Sequence, residues 1–167
     1  MALVLVNIGS NMGERRLFLT RSLAAIGREF GEYQISHVVE SDPEGFDSAN
    51  SFLNIGAAFH SELSPIEILK KLQEIERSLS SVAHRNEEGS YKDREIDIDL
   101  IAVAENVVNS EELTLPHPRL HERRFFLEPL MELAPAWRHP ITGKDPFQML
   151  KELAEKEKKE NSGNEEA

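Results

Sequence analysis

The sequence predicts an α+β sandwich, in which helices pack on one side of a mainly antiparallel sheet. Segments with the two-residue period of strands alternate with segments of helical period, and a hairpin-like piece lies near Val107 and Leu113. At 167 residues, of which 40% are hydrophobic, the chain has room for one domain with a buried core. The opposite side of the sheet would then be free for a functional site.

The N-terminal third predicts a strand, a helix and a second strand. Residues 3–8, with the sequence LVLVNI, are typical of a buried strand, and the turn-forming residues 9–11 follow it. A helix comes next, because apolar side chains recur at helical spacing and Gly31 is a suitable C-terminal stop. Those apolar side chains are Leu19, Leu23, Ile26 and Phe30. Alternation over residues 33–39 predicts the second strand, and the turn-rich segment 41–51 predicts a functional loop.

The middle of the chain predicts a strand and a capped helix. The strand runs from Phe52 to His60 and has two different faces, one of them apolar and one that sets Phe52 beside Asn54. Ser64 and Glu67 form a capping box with proline at the first helical position. Apolar residues then keep helical spacing as far as Leu79. We therefore expect an amphipathic helix here.

A long loop and a further strand follow. Residues 80–94 have no periodicity, and a loop of this length in a compact domain is usually functional or mobile. The segment after it, EIDIDLIAV, predicts a strand. Downstream, a helix is expected around residues 125–133. We divide the chain into a domain of residues 1–150 and a charged tail of residues 151–167, which is expected to be frayed or partly disordered.

Asp97 and Asp99 share one face of the strand EIDIDLIAV, because side chains two residues apart point the same way. Two such carboxylates can converge on Mg²⁺, which prefers oxygen ligands and completes its shell with water and phosphates. The alternative is a solvent-facing strand with two unrelated aspartates, and the pattern alone does not decide between them. Arg94, three residues before Asp97, is placed to meet phosphate oxygens or is an ordinary surface arginine.

Composition and charge exclude several classes of protein. A formal net charge of -11, without a basic stripe, disfavours nucleic-acid binding and a sheet-based RNA-binding module. There are no cysteines, so no thiolate-bound zinc site is expected. His117 and His121 fit a turn better than a metal pair, since no third ligand is placed. The N-terminal apolar run is too short for a membrane span and lacks a basic leader, so we expect a cytoplasmic protein without membrane contacts.

Six short motifs, in this order, give a more specific indication than any one of them. They are GSN at 9–11, FLN at 52–54, QEIE at 73–76, R-x-x-D-x-D at 94–99, LTLPH at 113–117 and RRFFLEPLMELAP at 123–135. From about residue 3 to residue 150 the chain resembles the 6-hydroxymethyl-7,8-dihydropterin pyrophosphokinase family of the folate pathway. The resemblance implies a ferredoxin-like α/β sandwich with small-molecule pterin and ATP as partners. A monomer is favoured.

The resemblance implies an activity and a metal site. The family transfers the diphosphate of ATP to the hydroxymethyl oxygen of the pterin and releases AMP, with two Mg²⁺ ions held by an aspartate pair. By position, Asp97 and Asp99 would be those ligands. Arg94 and Arg123 match arginines that engage phosphates or the reacting centre, which makes Arg94, Asp97 and Asp99 the catalytic candidates.

The resemblance also implies binding residues for both substrates. Asn54 would hydrogen-bond the pterin edge, and Phe52 and Phe125 would line its slot, with Phe125 as the stacking ring. Ser41 and Asp42 match loop positions that touch the pterin. The positions that match the nucleotide side are Gln73, Glu76, Tyr91, Thr114, His117 and Arg123.

The loop at 80–94 departs from the family pattern. It corresponds to a lid that closes over ATP and usually carries Trp-Gly-Pro-Arg, where this chain has Tyr91-Lys92-Asp93-Arg94. An arginine pair expected early in the lid is replaced by Ser80-Ser81-Val82-Ala83. Two hypotheses follow: an active pyrophosphokinase, or a divergent pterin- or nucleotide-binding paralogue with weak or different transferase activity.

Overall fold

The structure, a computed structural model, describes residues 1–42, 51–80 and 95–166, with side chains as far as residue 162. The strands in these ranges are β1 (Ala2–Ser10), β2 (Tyr33–Ile35), β3 (Val39–Ser41), β4 (Phe52–Ser61), β5 (Asp97–Val103), β6 (Val108–Asn109) and β7 (Thr114–Leu115). The helices are α1 (Arg15–Phe30), α2 (Pro65–Leu79), α3 (Arg124–Leu133) and α4 (Pro146–Glu166). A 3₁₀ turn covers Leu120–Glu122.

One antiparallel sheet forms the centre of the fold. Its strand order is β2-β4-β1-β5, and β3 pairs with β4 beyond the end of β2. Every pairing in it is antiparallel, and β6 and β7 make a separate antiparallel hairpin. The predicted α+β class and the hairpin are confirmed. The strand β1, predicted over residues 3–8, extends through Ser10.

Helices lie on both faces of the sheet, so the expectation that they pack on one side is wrong. The first face is covered by α1 and α2 around a core of buried side chains that includes Val6, Ile8 and Phe59. On the second face, α3 covers the end of the sheet that carries Leu5 and Ala58, and α4 packs against α3 in the same core. That end is apolar and has to be buried. Within the described residues, helices leave the polar end of the second face uncovered, so we look for a site there.

The predicted strand over residues 33–39 is two short strands separated by a bulge. Ile35 pairs with Ala57 and Val39 pairs with Asn54, so three residues of this edge lie opposite two residues of β4. Ser36 causes the irregularity, because its hydroxyl accepts the hydrogen bond of the β4 N–H of residue 56 over 2.8 Å. One extra residue reverses the side to which the following side chains point. Without the bulge, Val39 and Ser41 would lie on the first face of the sheet, and with it they lie on the second.

The helix ends follow from the sequence where their capping signals are strong. The capping box of α2 is present as predicted, with Ser64 and Glu67 bonded to each other's backbone N–H. Gly31 ends α1 at a φ of 90°, in the left-handed region that glycine adopts without strain. The helix α4 runs from Pro146 to Glu166 and includes most of the charged tail, whose expected fraying stays a prediction. The division of the chain at residue 150 stays a prediction.

Among the described residues, no helix combines the length and the apolar character needed to span a bilayer.

Candidate active site

The polar end of the second face consists of two rows that run across β4, β1 and β5. Register places Asn54, Gly9 and Asp97 opposite one another in the outer row. In the inner row, Gly56, Asn7 and Asp99 are opposite one another. Residues opposite each other on antiparallel strands share a face. The structure therefore brings the two aspartates and Asn54 to one surface, as the sequence predicts for the aspartate pair.

Asp97 and Asp99 are partly buried on β5, an edge strand of the sheet. Between them, the backbone N–H of Ile98 donates to Oε2 of Glu76 over 3.0 Å, and this bond fastens the edge to α2. Cα atoms two residues apart on a strand are about 6.5 to 7 Å apart, which lets two carboxylates converge on one or two cations. The oxygen donors present fit Mg²⁺. Within the described parts of the chain no group of three or more acidic or histidine side chains could hold a metal, so further ligands would come from water and phosphates.

His117 lies beside this pair. Its backbone N–H donates to the carbonyl of Ile101 over 2.9 Å, which ties the LTLPH segment to β5. Its Nε2 is 3.9 Å from Oδ1 of Asp99. Burial, followed by the positive charges of Arg123 and Arg119, lowers the pKa of His117 to about 4. The imidazole is therefore neutral at pH 7, and its contact with Asp99 is polar and not an ion pair.

Asn54 is held in a fixed orientation at the other end of the outer row. Its side-chain amide donates to the carbonyl of Val39 over 3.1 Å and to Oγ of Ser41 over 2.8 Å. Its Oδ1 points over Gly9, where an added Cβ would lie 3.0 Å from that oxygen. Phe52 lies next to it along the same face, with its ring 3.3 Å from the same added Cβ. The bulge before β3 is what turns Ser41 towards Asn54.

The start of α3 forms the wall next to the inner row. The guanidinium of Arg123 lies 5.5 Å from the ring centre of Phe125 and 5.1 Å from that of Phe126. The two phenylalanine rings meet edge to face at 4.8 Å. Asn7, on β1, donates from Nδ2 to the backbone carbonyl of Phe125 over 2.9 Å. Arg123 and Phe125 thus stand beside the aspartate rows.

The other predicted site residues divide into two groups. Gln73, Thr114 and Asp42 are exposed on α2, on β7 and after β3, with no bond to the aspartate rows among the contacts described above. Arg94 and Tyr91 lie outside the described residues, as does nearly all of the predicted lid. Their roles stay predictions.

Sequence reasoning assigned no role in the site to Asn7 or to the two glycines of the rows, Gly9 and Gly56. Asn7 is 3% exposed within a run of buried apolar residues, and a lone amide in such a run is the signal that could have identified it. Gly56 is packed so closely that an added Cβ would lie 2.6 Å from Cβ of Pro129. Neither contact was visible in the sequence, because each joins segments far apart in the chain.

A family sequence profile described as "7,8-dihydro-6-hydroxymethylpterin-pyrophosphokinase (HPPK)" matches residues 5–135. Three bacterial relatives carry the name 2-amino-4-hydroxy-6-hydroxymethyldihydropteridine pyrophosphokinase. The one from Porphyromonas gingivalis is 42% identical over 142 residues, covering 84% of this chain and 95% of that protein. That from Aquifex aeolicus is 36% identical over 84% of this chain and 86% of its own length. The Bacillus subtilis protein is 32% identical over 77% of this chain and 75% of its own length.

Solved structures with the same fold are longer. An HPPK-DHPS structure in complex with substrates gives a TM-score of 0.71 at 11% identity and covers 95% of this chain. The wild-type HPPK-DHPS of Plasmodium falciparum with pteroate gives 0.74 at 11% identity and covers 96%. This chain spans 44% of each of those chains. At this identity the likeness concerns the fold alone, and it agrees with the predicted α/β sandwich.

Proposed function

The chain belongs to the 7,8-dihydro-6-hydroxymethylpterin-pyrophosphokinase family, and on this premise we propose that it makes the pterin diphosphate of folate biosynthesis. ATP is the co-substrate. The hydroxymethyl oxygen of 6-hydroxymethyl-7,8-dihydropterin forms a bond to the β-phosphorus of ATP and loses its proton. The bond between the α,β-bridging oxygen and that phosphorus breaks, and AMP leaves. The protein is an ATP-dependent diphosphotransferase.

One observation supports this assignment most: a single sheet face brings Asn54 and Asp97 into one row, with only Gly9 between them. A pterin ring bound at Asn54 would then have its hydroxymethyl group close to the carboxylates of Asp97 and Asp99. Positioning of this kind supplies most of the catalysis in phosphoryl transfer, because the protein contributes little covalent chemistry.

The pterin would bind at the Asn54 end of the row. Both N–H groups of the Asn54 amide serve the protein, so its Oδ1 is the atom offered to a ligand. An acceptor at this point suits the 2-amino group of the pterin, which is a donor. Phe52 and Phe125 would lie along the ring faces, and Ser41 would act by holding Asn54.

Asp97 and Asp99 would hold Mg²⁺, and we expect two ions. Bound there, the metal would neutralise phosphate charge and align the reacting phosphoryl group. Because the imidazole of His117 is neutral at pH 7, it would not repel a cation bound at the neighbouring carboxylate of Asp99. Arg123, which lies beside the aspartate rows, would meet phosphate oxygens. Gln73, Glu76 and Thr114 would serve the nucleotide side, Glu76 by fixing β5.

The test is AMP release from ATP, Mg²⁺ and 6-hydroxymethyl-7,8-dihydropterin by the wild type and by Asp97→Ala and Asp99→Ala. We expect the wild type to release AMP only when the pterin is present. The rate of AMP release should fall at least about 10²-fold in each variant, which is the scale of lost charge stabilisation at a transfer site. Glu111→Gln, which removes one exposed carboxylate on the turn of the hairpin, is the control and should keep full activity.

Two results would overturn parts of this assignment. A wild type that binds the pterin in calorimetry but releases no AMP would reject the transferase and leave the divergent binding protein. An active wild type matched by both aspartate variants would reject the metal site alone. Titration of Mg²⁺ separates the two roles, because ATP binding should require the ion and pterin binding should not.

A further inference from the structure

The carbonyl oxygen of Phe125 lacks its ordinary partner in α3. It lies in the first turn, and in an α-helix it would accept a hydrogen bond from the N–H four residues later. That residue is Pro129, which has no N–H to give. The amide of Asn7 supplies the bond instead, over 2.9 Å. A side chain from the centre of the sheet thus completes the helix.

The same proline explains why α3 comes so close at this point. Pro129 lies directly on Gly56, where any Cβ would be 2.6 Å from the Cβ of the proline. Asn7 pairs with Gly56 of β4 on one side and with Asp99 of β5 on the other. Two adjacent positions of the inner row therefore contact α3: Gly56 packs against Pro129, and the Asn7 amide donates its hydrogen bond to Phe125.

Burying the side chain of Asn7 costs free energy unless this hydrogen bond is made. It is 3% exposed, and burying an amide without partners is unfavourable. The contact of Pro129 with Gly56 fixes how closely α3 approaches the sheet, but it lies one turn further along the helix than Phe125. A hydrogen bond weakens steeply when its length or angle changes. The bond from Asn7 therefore adds a directional constraint at the first turn, where Phe125 and Arg123 lie.

We propose that Asn7 is a positioning residue of the active site: through the carbonyl of Phe125 it holds the Phe125 ring and Arg123 at a fixed place relative to Asp99. The inference rests on the proposed function, since it concerns residues assigned there to the pterin and the phosphates. Asn7 itself would touch neither substrate. Catalytic groups must be held within about 0.5 Å of their productive positions, so even a small shift of the turn is costly.

The test compares Asn7→Ala with Ser22→Ala. Ser22 is equally buried and donates to the carbonyl of Phe18 over 2.8 Å, on α1 at the other face of the sheet. Both variants lose one buried side-chain bond to a backbone carbonyl. We expect Asn7→Ala to raise the KM and the Kd for the pterin about tenfold, the scale of one hydrogen bond of a buried group. Ser22→Ala should leave both unchanged.

A double-variant cycle with Phe125→Ala separates positioning from direct contact. If Asn7 acts through Phe125, adding Asn7→Ala to Phe125→Ala should raise the pterin Kd by less than about twofold, because coupled residues are not additive. A full tenfold further loss would overturn the proposal. So would equal pterin affinities of Asn7→Ala and the wild type.

Pro129→Ala keeps the test valid if Asn7→Ala folds poorly. Alanine restores an N–H at position 129, so the helix itself can satisfy the carbonyl of Phe125 in the double variant Asn7→Ala/Pro129→Ala. Stability should then recover, while pterin KM stays about tenfold above that of Pro129→Ala, because the link to the sheet is still missing. Recovery of both would show a purely structural bond and reject the proposal. Because Kd is measured by calorimetry, a wild type without AMP release would reject the transferase and still leave this inference testable.

Discussion

Gly56→Ala should push α3 away from the sheet. The new Cβ would lie 2.6 Å from Cβ of Pro129 and 3.2 Å from Cδ1 of Leu133, and the first atom belongs to a rigid ring on the helix. Neither the central strand β4 nor the helix can yield without repacking. Overpacking of this kind costs about 1 to 3 kcal/mol. For a chain of this size that corresponds to a fall in Tm of roughly 2 to 12 °C.

Urea unfolding followed by tryptophan fluorescence measures this cost directly. Trp137 is the single tryptophan of the chain, is 7% exposed and packs in the same core as α3. Gly27→Ala is the matched control. Its added Cβ would meet only the ring edge of Tyr33, an exposed side chain that can move aside, and alanine favours a helix over glycine by about 1 kcal/mol. This control should therefore be neutral or stabilising.

The same substitution should also impair the pterin site, because α3 carries Phe125 and Arg123. We expect the KM for the pterin to rise in Gly56→Ala and to stay unchanged in Gly27→Ala. An unfolding midpoint and a KM equal to those of the wild type would refute the reasoning, since they would mean that α3 has room to accept a methyl group at Gly56.

Three further substitutions test other contacts of the site. Gly9→Ala places a methyl group 3.0 Å from Oδ1 of Asn54, so steady-state kinetics should show a pterin KM raised roughly tenfold with little change in the urea midpoint. Glu76→Ala leaves a backbone N–H of β5 without its carboxylate, which should lower the free energy of unfolding by about 1.5 to 3 kcal/mol in urea titrations, and Glu76→Gln should cost less. For Glu132, the hydrogen bond from the backbone of His37 lowers the pKa below 4.5, so the wild type gains stability above that pH and loses it on acidification. Glu132→Gln should flatten the acid side of the stability profile, and an unchanged slope would contradict the assignment.

Local patterns predicted the parts of the site that depend on one strand or one helix. Alternation alone placed Asp97 and Asp99 on one face, because the period of a strand leaves no other arrangement. The capping box of α2 was equally secure, since Ser64 and Glu67 satisfy each other within one turn. Each of these features depends on residues close in the chain.

Contacts between distant segments were not predictable in the same way. The bulge at Ser36 depends on a hydroxyl replacing a backbone partner across the sheet, and it reverses the face on which Ser41 lies. The place of α3 on the second face depends on Pro129 fitting against Gly56. A single sequence shows a proline and a glycine 73 residues apart without showing that they meet. The bond from Asn7 to Phe125 is hidden for the same reason.

The charges around His117 bear on how a nucleotide and a cation would bind at the site. The charges of Arg123 and Arg119 help to lower the pKa of the imidazole, and Oδ1 of Asp99 lies 3.9 Å from its Nε2. Because the imidazole of His117 is neutral at pH 7, it carries no positive charge that would offset a charge on Asp99. We expect the arginines to attract a polyphosphate and the aspartates to repel it unless a cation lies between them. This arrangement, on a chain of net charge -11, would make nucleotide binding depend on a divalent ion while leaving the pterin end independent of it.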